Sequence, residues 1–207
     1  VLRTLNKLEN TLVLFSSDNG GVYTITKQRP LRAGKGSYYE GGIREPLFAF
    51  WHKKIEAGTK SDYPVSNLDF YPTILEAAGI NVPMDKVLDG QSILPLLVQG
   101  KRLKERPLFW HFPIYLESGN DESQDSLFRC RPGSAIRLGN WKLIEYFENN
   151  DFELYNLKND IGERINLINS HPNKAQKLLT ILTNWRKEVN AVVPTELNPK
   201  YVEDNYN

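Results

Sequence analysis

Cysteine is nearly missing from this chain. The 207 residues hold one, Cys130, which excludes an internal disulfide framework. Histidine is almost as scarce, with three at positions 52, 111 and 171, so no Cys/His cluster with zinc-site spacing exists. No apolar run approaches the roughly 20 residues of a membrane-spanning helix. The opening VLRTLNKLEN lacks the apolar core and small-residue cleavage site of a secretory leader, and the compartment is not legible from it. Charge of one sign is not in excess either. Lys and Arg number 26 against 25 Asp and Glu, for a net charge of +1, which argues against nucleic acid or an anionic membrane as the main partner. Internal repeats and low-complexity segments are absent.

What is present is the composition of a folded globular protein, 40% hydrophobic and 25% charged, long enough for one or two cores. TLVLFSS (11–17) is a short apolar run ending in a glycine turn, the pattern of a buried parallel-sheet strand, and PLFAFW (46–51) is a second. Between them lies a long glycine-rich segment with little periodicity, and loops of that length in compact domains are commonly functional. SNLDFYPTILEAAGI (66–80) reads as a helix. Ser66 and Asp69 form a capping box with Asp in place of Glu, Gly79 supplies the stop, and Pro72 suggests a bend. DGQSILPLLVQGK leads through a helical turn to a basic link, Lys101 to Arg106.

Beyond that link the text turns antiparallel. RPLFWHF, GSAIRL, WKLIEYF and FELYNL are strand-like, with Gly139-Asn140 a hairpin signal. The loop YLESGNDESQDSLF is polar and expected to be exposed. In the last periodic stretch Pro172 starts a helix, and Ala175, Leu179, Leu182, Trp185 and Val189 form its apolar stripe. A small sheet covered by one helix is the simplest assembly. His52, His171 and the closing YVEDNYN suggest no role.

The stretch with chemical potential is SSDNGG (16–21). At the carboxyl end of a strand in an open α/β sheet the chain opens into the ligand crevice, and Gly20-Gly21 permits a sharp turn there. Asp18 and Asn19 would then offer a carboxylate beside an amide oxygen, donors suited to calcium or magnesium. An Asx turn is the bland alternative. In AGKGSYYEGG, Lys35 stands between Gly34 and Gly36, which clear space for an incoming group, and its ammonium suits a tetrahedral oxyanion. A solvated loop lysine is the ordinary reading of such a residue alone.

SSDNGG followed by PLRAGKGSYYEGGIREPLFAFW resembles the sulfatase family of the alkaline phosphatase superfamily. VSNLDFYPTILEAAGI and DGQSILPLL match that family's text in the same order, so the resemblance covers roughly residues 11 to 98. It implies an α/β fold. Residues 1–104 would be the C-terminal part of the sulfatase catalytic domain, and 105–207 a small antiparallel sheet packed with a C-terminal helix. By the same resemblance Asp18 and Asn19 are two calcium ligands, and Lys35 holds the sulfate and steadies the leaving oxygen. The nucleophile is a formylglycine made within a Cys/Ser-x-Pro-x-Arg motif. Secreted, periplasmic and lysosomal-type compartments are compatible with it.

That motif, the remaining calcium ligands and the histidine acid/base groups belong to the family's N-terminal half, so the expectation is a C-terminal portion, inactive alone, whose partners are that half and a sulfated small molecule or glycan. CRPGS at Cys130 imitates the motif, but Ser134 stands where arginine is needed. Glu40 and Arg44 have the spacing of a structural ion pair. His111 in FWHFP is either a substrate contact at the site's mouth, as the family's C-terminal subdomain implies, or a packed strand histidine. Arg129, Arg131 and Arg137 either read a sugar's acidic groups or are ordinary surface arginines. Two rivals remain: a phosphoesterase of the same superfamily, and a non-catalytic chain that binds sulfated ligands.

Overall fold

The computed structural model describes residues 1–196, and YVEDNYN lies outside the described residues. In chain order the elements are β1 (Leu12–Ser16), α1 (Glu40–Ile43), β2 (Leu47–Trp51), α2 (Phe70–Ala77), α3 (Leu94–Gln99), β3 (Leu108–Phe112), β4 (Leu116–Glu117), β5 (Phe128–Cys130), β6 (Gly133–Leu138), β7 (Trp141–Tyr146), β8 (Asp151–Asn156) and α4 (Pro172–Glu188). They fall into two compact units, residues 1–19 with 44–106, and residues 20–43 with 107 onward.

In the first unit β1 pairs with β2, and the pairing is antiparallel. The parallel-sheet reading of TLVLF is therefore corrected. An apolar run reports what a strand can bury, not the direction of its neighbour. Val13 and Phe15 stand across from Phe50 and Phe48, and all four are exposed, an apolar stripe on one face of the pair.

Before α2 the capping box forms as the spacing predicts. Ser66 Oγ accepts from the Leu68 amide and the Asp69 carboxylate from the Ser66 amide. Pro72 sits in the first turn of α2, where its missing N–H has no helical partner to lose. Asp69 does more than cap. Fully buried, it pairs with Arg106 and accepts from the Gln91 amide at 2.9 Å, so one carboxylate ties together three segments of this unit.

The second unit is built on a four-stranded antiparallel sheet of order β3-β6-β7-β8. One face carries Ile136, Leu143 and Leu154 against Ala175, Leu178 and Leu182 of α4. Leu178, rather than the expected Leu179, is the fully buried leucine of that turn, and Val189 lies past the helix, exposed. The other face is not left to solvent. Ala135, Ile144, Tyr146 and Tyr155 pack against Ala33, Tyr38 and Tyr39, so the glycine-rich segment is the sheet's second cover. The simple sheet-and-helix assembly lacked this layer. The adjacent apolar pairs Ala135-Ile136 and Leu143-Ile144 were its trace in the sequence, since a strand buried on both faces loses its alternation.

The loop between β4 and β5 is also less exposed than its polarity suggests. Glu122 and Ser123 are buried, the Glu122 carbonyl accepts from Arg32 Nε at 2.9 Å, and its carboxylate pairs with Arg164.

Candidate functional site

At the end of β1, Ser16 Oγ donates to the Pro46 carbonyl (3.1 Å) and Ser17 Oγ to the Asn19 carbonyl (2.9 Å). These bonds close a bend that leaves Asp18 exposed and Asn19 half-buried. A second acid belongs to the same unit. Burial, and then the charge of Asp18, push the Glu45 carboxyl above its ordinary value, and Glu45 Oε1 is buried with no hydrogen-bond partner among the described residues. Two neighbouring carboxylates, one with an orphaned oxygen, make an electrostatic arrangement that a cation relieves.

Gly20 and Gly21 do not turn the chain through a left-handed conformation. Their role is close approach. A Cβ on Gly20 would lie 1.8 Å from the Gly41 carbonyl oxygen, and one on Gly34 would lie 2.5 Å from the Gly21 oxygen. The gap beside Gly34 is thus filled by backbone, correcting the expectation that it clears room for a ligand. Around it Gly20 N donates to Gly42 O (2.9 Å), Gly41 N to Arg32 O (2.9 Å) and Lys35 N to Gly21 O (3.0 Å). Gly20→Ala is expected to cost about 3 kcal/mol or more, because backbone rather than a movable side chain blocks the methyl. Gly58→Ala, at φ +80° in open space, should cost about 1 kcal/mol. Urea titrations of the two variants check the difference.

The same segment is anchored to the sheet by charge. Glu40 is buried, with Lys142 Nζ at 3.1 Å and Arg137 at 3.4 Å from its oxygens, and Lys142 also reaches Glu163 at 2.8 Å. The Glu163 carboxylate accepts from the Glu40 amide at 2.6 Å. Tyr39 donates to Glu153 at 2.9 Å, while the Arg32 guanidinium lies over the Tyr39 ring. The outcome is a stretch from 33 to 42 in which Lys35 is the only exposed residue.

Residues 34–190 match the family model described as N-sulphoglucosamine sulphohydrolase, C-terminal. The chain belongs to the sulfatase family. A sulfatase of Formosa agariphila is 38% identical over 205 residues, covering 94% of this chain and 36% of that protein. Human N-acetylgalactosamine-6-sulfatase is 38% identical over 116 residues, 54% of this chain and 22% of its own length. Among solved structures, Ps i-CgsB in complex with k-i-k-neocarrahexaose superposes with a TM-score of 0.74 at 31% identity, covering 89% of this chain and 38% of that one. BT4656 in complex with D-glucosamine-2-N,6-O-disulfate gives 0.67 at 25% identity, covering 91% and 36%. This sulfatase chain thus spans little more than a third of those solved structures and of the Formosa protein.

Within the sulfatase chain, His111 and Lys35 are not brought together. His111 is on the α4 face of the sheet, opposite the face that the lysine segment covers. Its Nδ1 is 2.8 Å from Ser134 Oγ and its Nε2 2.9 Å from the Val192 carbonyl, with Trp185 edge-on. Cys130 is buried in the core with Tyr38, and burial pushes its thiol up to about 12, which leaves no thiolate at neutral pH. This agrees with its rejection as a nucleophile. Glu45, Lys142 and Glu163 were missed by sequence reasoning. The only hint was the crowding of charged residues into apolar strands, as in WKLIEYF.

Proposed function

We propose that this chain is part of a sulfuric ester hydrolase acting on sulfated sugars, in which Lys35 binds the sulfate and steadies the departing oxygen. The observation that carries the reading is the exposed Lys35 in an otherwise buried, backbone-stitched stretch. Such a mounting fixes the backbone that carries the cation, so the rotamer freedom of the side chain is what remains to be ordered when an anion binds. The sugar assignment draws on two of the relatives, human N-acetylgalactosamine-6-sulfatase and BT4656 with its bound D-glucosamine-2-N,6-O-disulfate. His111, with both ring nitrogens engaged, is assigned here to packing rather than to substrate.

Asp18 and Asn19 are the proposed calcium ligands, and the orphaned oxygen of Glu45 beside Asp18 supports a cation in that place. Among the described residues no group of three or more His, Cys, Asp or Glu could hold a metal, and calcium takes six to eight oxygens, so the proposal includes further ligands from outside this chain. When bound, calcium would supply Lewis acidity toward a sulfate oxygen. The formylglycine is proposed to lie outside this chain as well.

The test is sulfate release by the full-length protein from a panel of sulfated mono- and oligosaccharides, with calcium removed by chelation and restored, alongside peptide mass spectrometry for formylglycine. Calcium-dependent sulfate release is expected. Release of phosphate but not sulfate from matched esters would identify a phosphoesterase, and retention of sulfated sugar without turnover a binding protein.

A further inference from the structure

Three arginines stand near one another in the sequence of the second unit, and the structure separates them. Arg131 is paired with Asp125 and Glu148. Arg137 is engaged with Glu40 and the Gly139 carbonyl. Arg129 differs from both. Its Nε is buried without a hydrogen-bond acceptor, and no carboxylate pairs with it among the described residues. The residue as a whole is only half-buried, so its guanidinium carries a charge that no carboxylate among the described residues offsets, and an anionic ligand would supply the missing partner.

Its location gives that ligand a place. A Cβ on Gly36 would lie 3.2 Å from Arg129 Cδ and 3.3 Å from its Nε, so the arginine stem lies against the residue that follows Lys35. Gly36 has φ +87°, and its missing side chain is what lets the two segments approach. The backbone of Arg129 is unusual too. β4 pairs with β5 as Leu116 with Cys130 and Glu117 with Phe128, which makes Arg129 the extra residue of a β-bulge. Bulges re-aim a side chain out of the strand's alternation and concentrate beside active sites.

We propose that Arg129 binds a second anionic group on the substrate, next to the sulfate assigned to Lys35, so that the preferred ligand is a sugar with two neighbouring anionic substituents. The inference rests on the sulfate-binding role given to Lys35 above. A guanidinium fork matches sulfate or carboxylate oxygens two at a time, where the lysine acts as a point charge. Lys35 then serves the reacting ester, and Arg129 selects for its neighbour.

The experiment compares two probes on the full-length protein by calorimetry: sucrose octasulfate, which presents adjacent sulfates, and inorganic sulfate, which presents one. Arg129→Met retains the aliphatic stem over Gly36 and removes the fork. Its affinity for sucrose octasulfate should fall about 10- to 100-fold, the range for a lost charge-assisted pair, while inorganic sulfate binding stays within twofold. Lys35→Ala should weaken both probes, and the exposed Lys177→Ala on α4 neither. Wild-type octasulfate affinity in Arg129→Met, an equal loss on both probes, or no octasulfate binding by the wild type would each overturn the proposal. Sulfate release from the panel of sulfated mono- and oligosaccharides is read separately. An Arg129-dependent preference without turnover would refute the sulfatase reading and leave the subsite standing.

Discussion

Replacing Lys142 with methionine is expected to cost about 3–5 kcal/mol of folding stability, the range for stripping the partner from buried charge. Lys142 is fully buried between Glu40 and Glu163, both equally buried. Methionine fills most of its volume but leaves two carboxylates facing each other, with Arg137 at 3.4 Å from Glu40 as a counter-charge. The pH dependence follows from the same geometry. Burial holds the Glu163 carboxyl above its ordinary value of 4.5, and Lys142 pulls it back down. A carboxyl whose folded value exceeds its unfolded one binds more protons when folded, so its contribution to stability falls as pH rises from about 4.5 through the folded value. Without Lys142 the folded value rises further and the total fall is larger, so the variant comes nearest to wild type in acid. Adding Glu163→Gln should recover part of the loss. Urea unfolding at acid and neutral pH measures this, and a loss below about 1 kcal/mol, or one independent of pH, would remove the triad as the anchor of the lysine segment.

Lys35→Ala in the full-length protein is expected to lower kcat/KM for sulfate release about 100- to 1000-fold, the cost of deleting one preorganised group at a site of developing charge. Folding stability should hardly change, because the side chain is exposed and its mounting is made by backbone hydrogen bonds and glycine packing. The two variants therefore separate the roles of one segment. Lys142→Met attacks its anchorage and lowers stability, whereas Lys35→Ala attacks its chemistry and spares the fold. Lys35→Arg keeps the charge but replaces a compact ammonium with a planar fork, and should lie between wild type and alanine. Unchanged sulfate release by Lys35→Ala would sink the assignment.

Much of the architecture was legible because it is written locally. The capping box at Ser66 and Asp69, the proline at the start of α4, the Gly139-Asn140 hairpin and the four strands after the basic link all rest on patterns a few residues long. Asp18, Asn19 and Lys35 were reached in the same way, as motifs. Glu45 and Arg129 could not be. Nothing in REP distinguishes an orphaned carboxylate oxygen from a solvated one, and Arg129 reads like Arg131 until their partners are known. The half-buried Arg106 that pairs with buried Asp69 was hidden inside what looked like a basic linker.

The sequence by itself determined the longer elements and the sulfatase family, since helix caps, strand runs and motif spacings are properties of neighbours along the chain. Only the tertiary structure decided that the glycine-rich segment covers the second face of the later sheet, that Lys142 is a buried anchor, and that one arginine of three has no carboxylate partner among the described residues. Those outcomes depend on which charges meet across long stretches of chain and on where backbone can approach backbone, and burial then sets how much each meeting costs or gains.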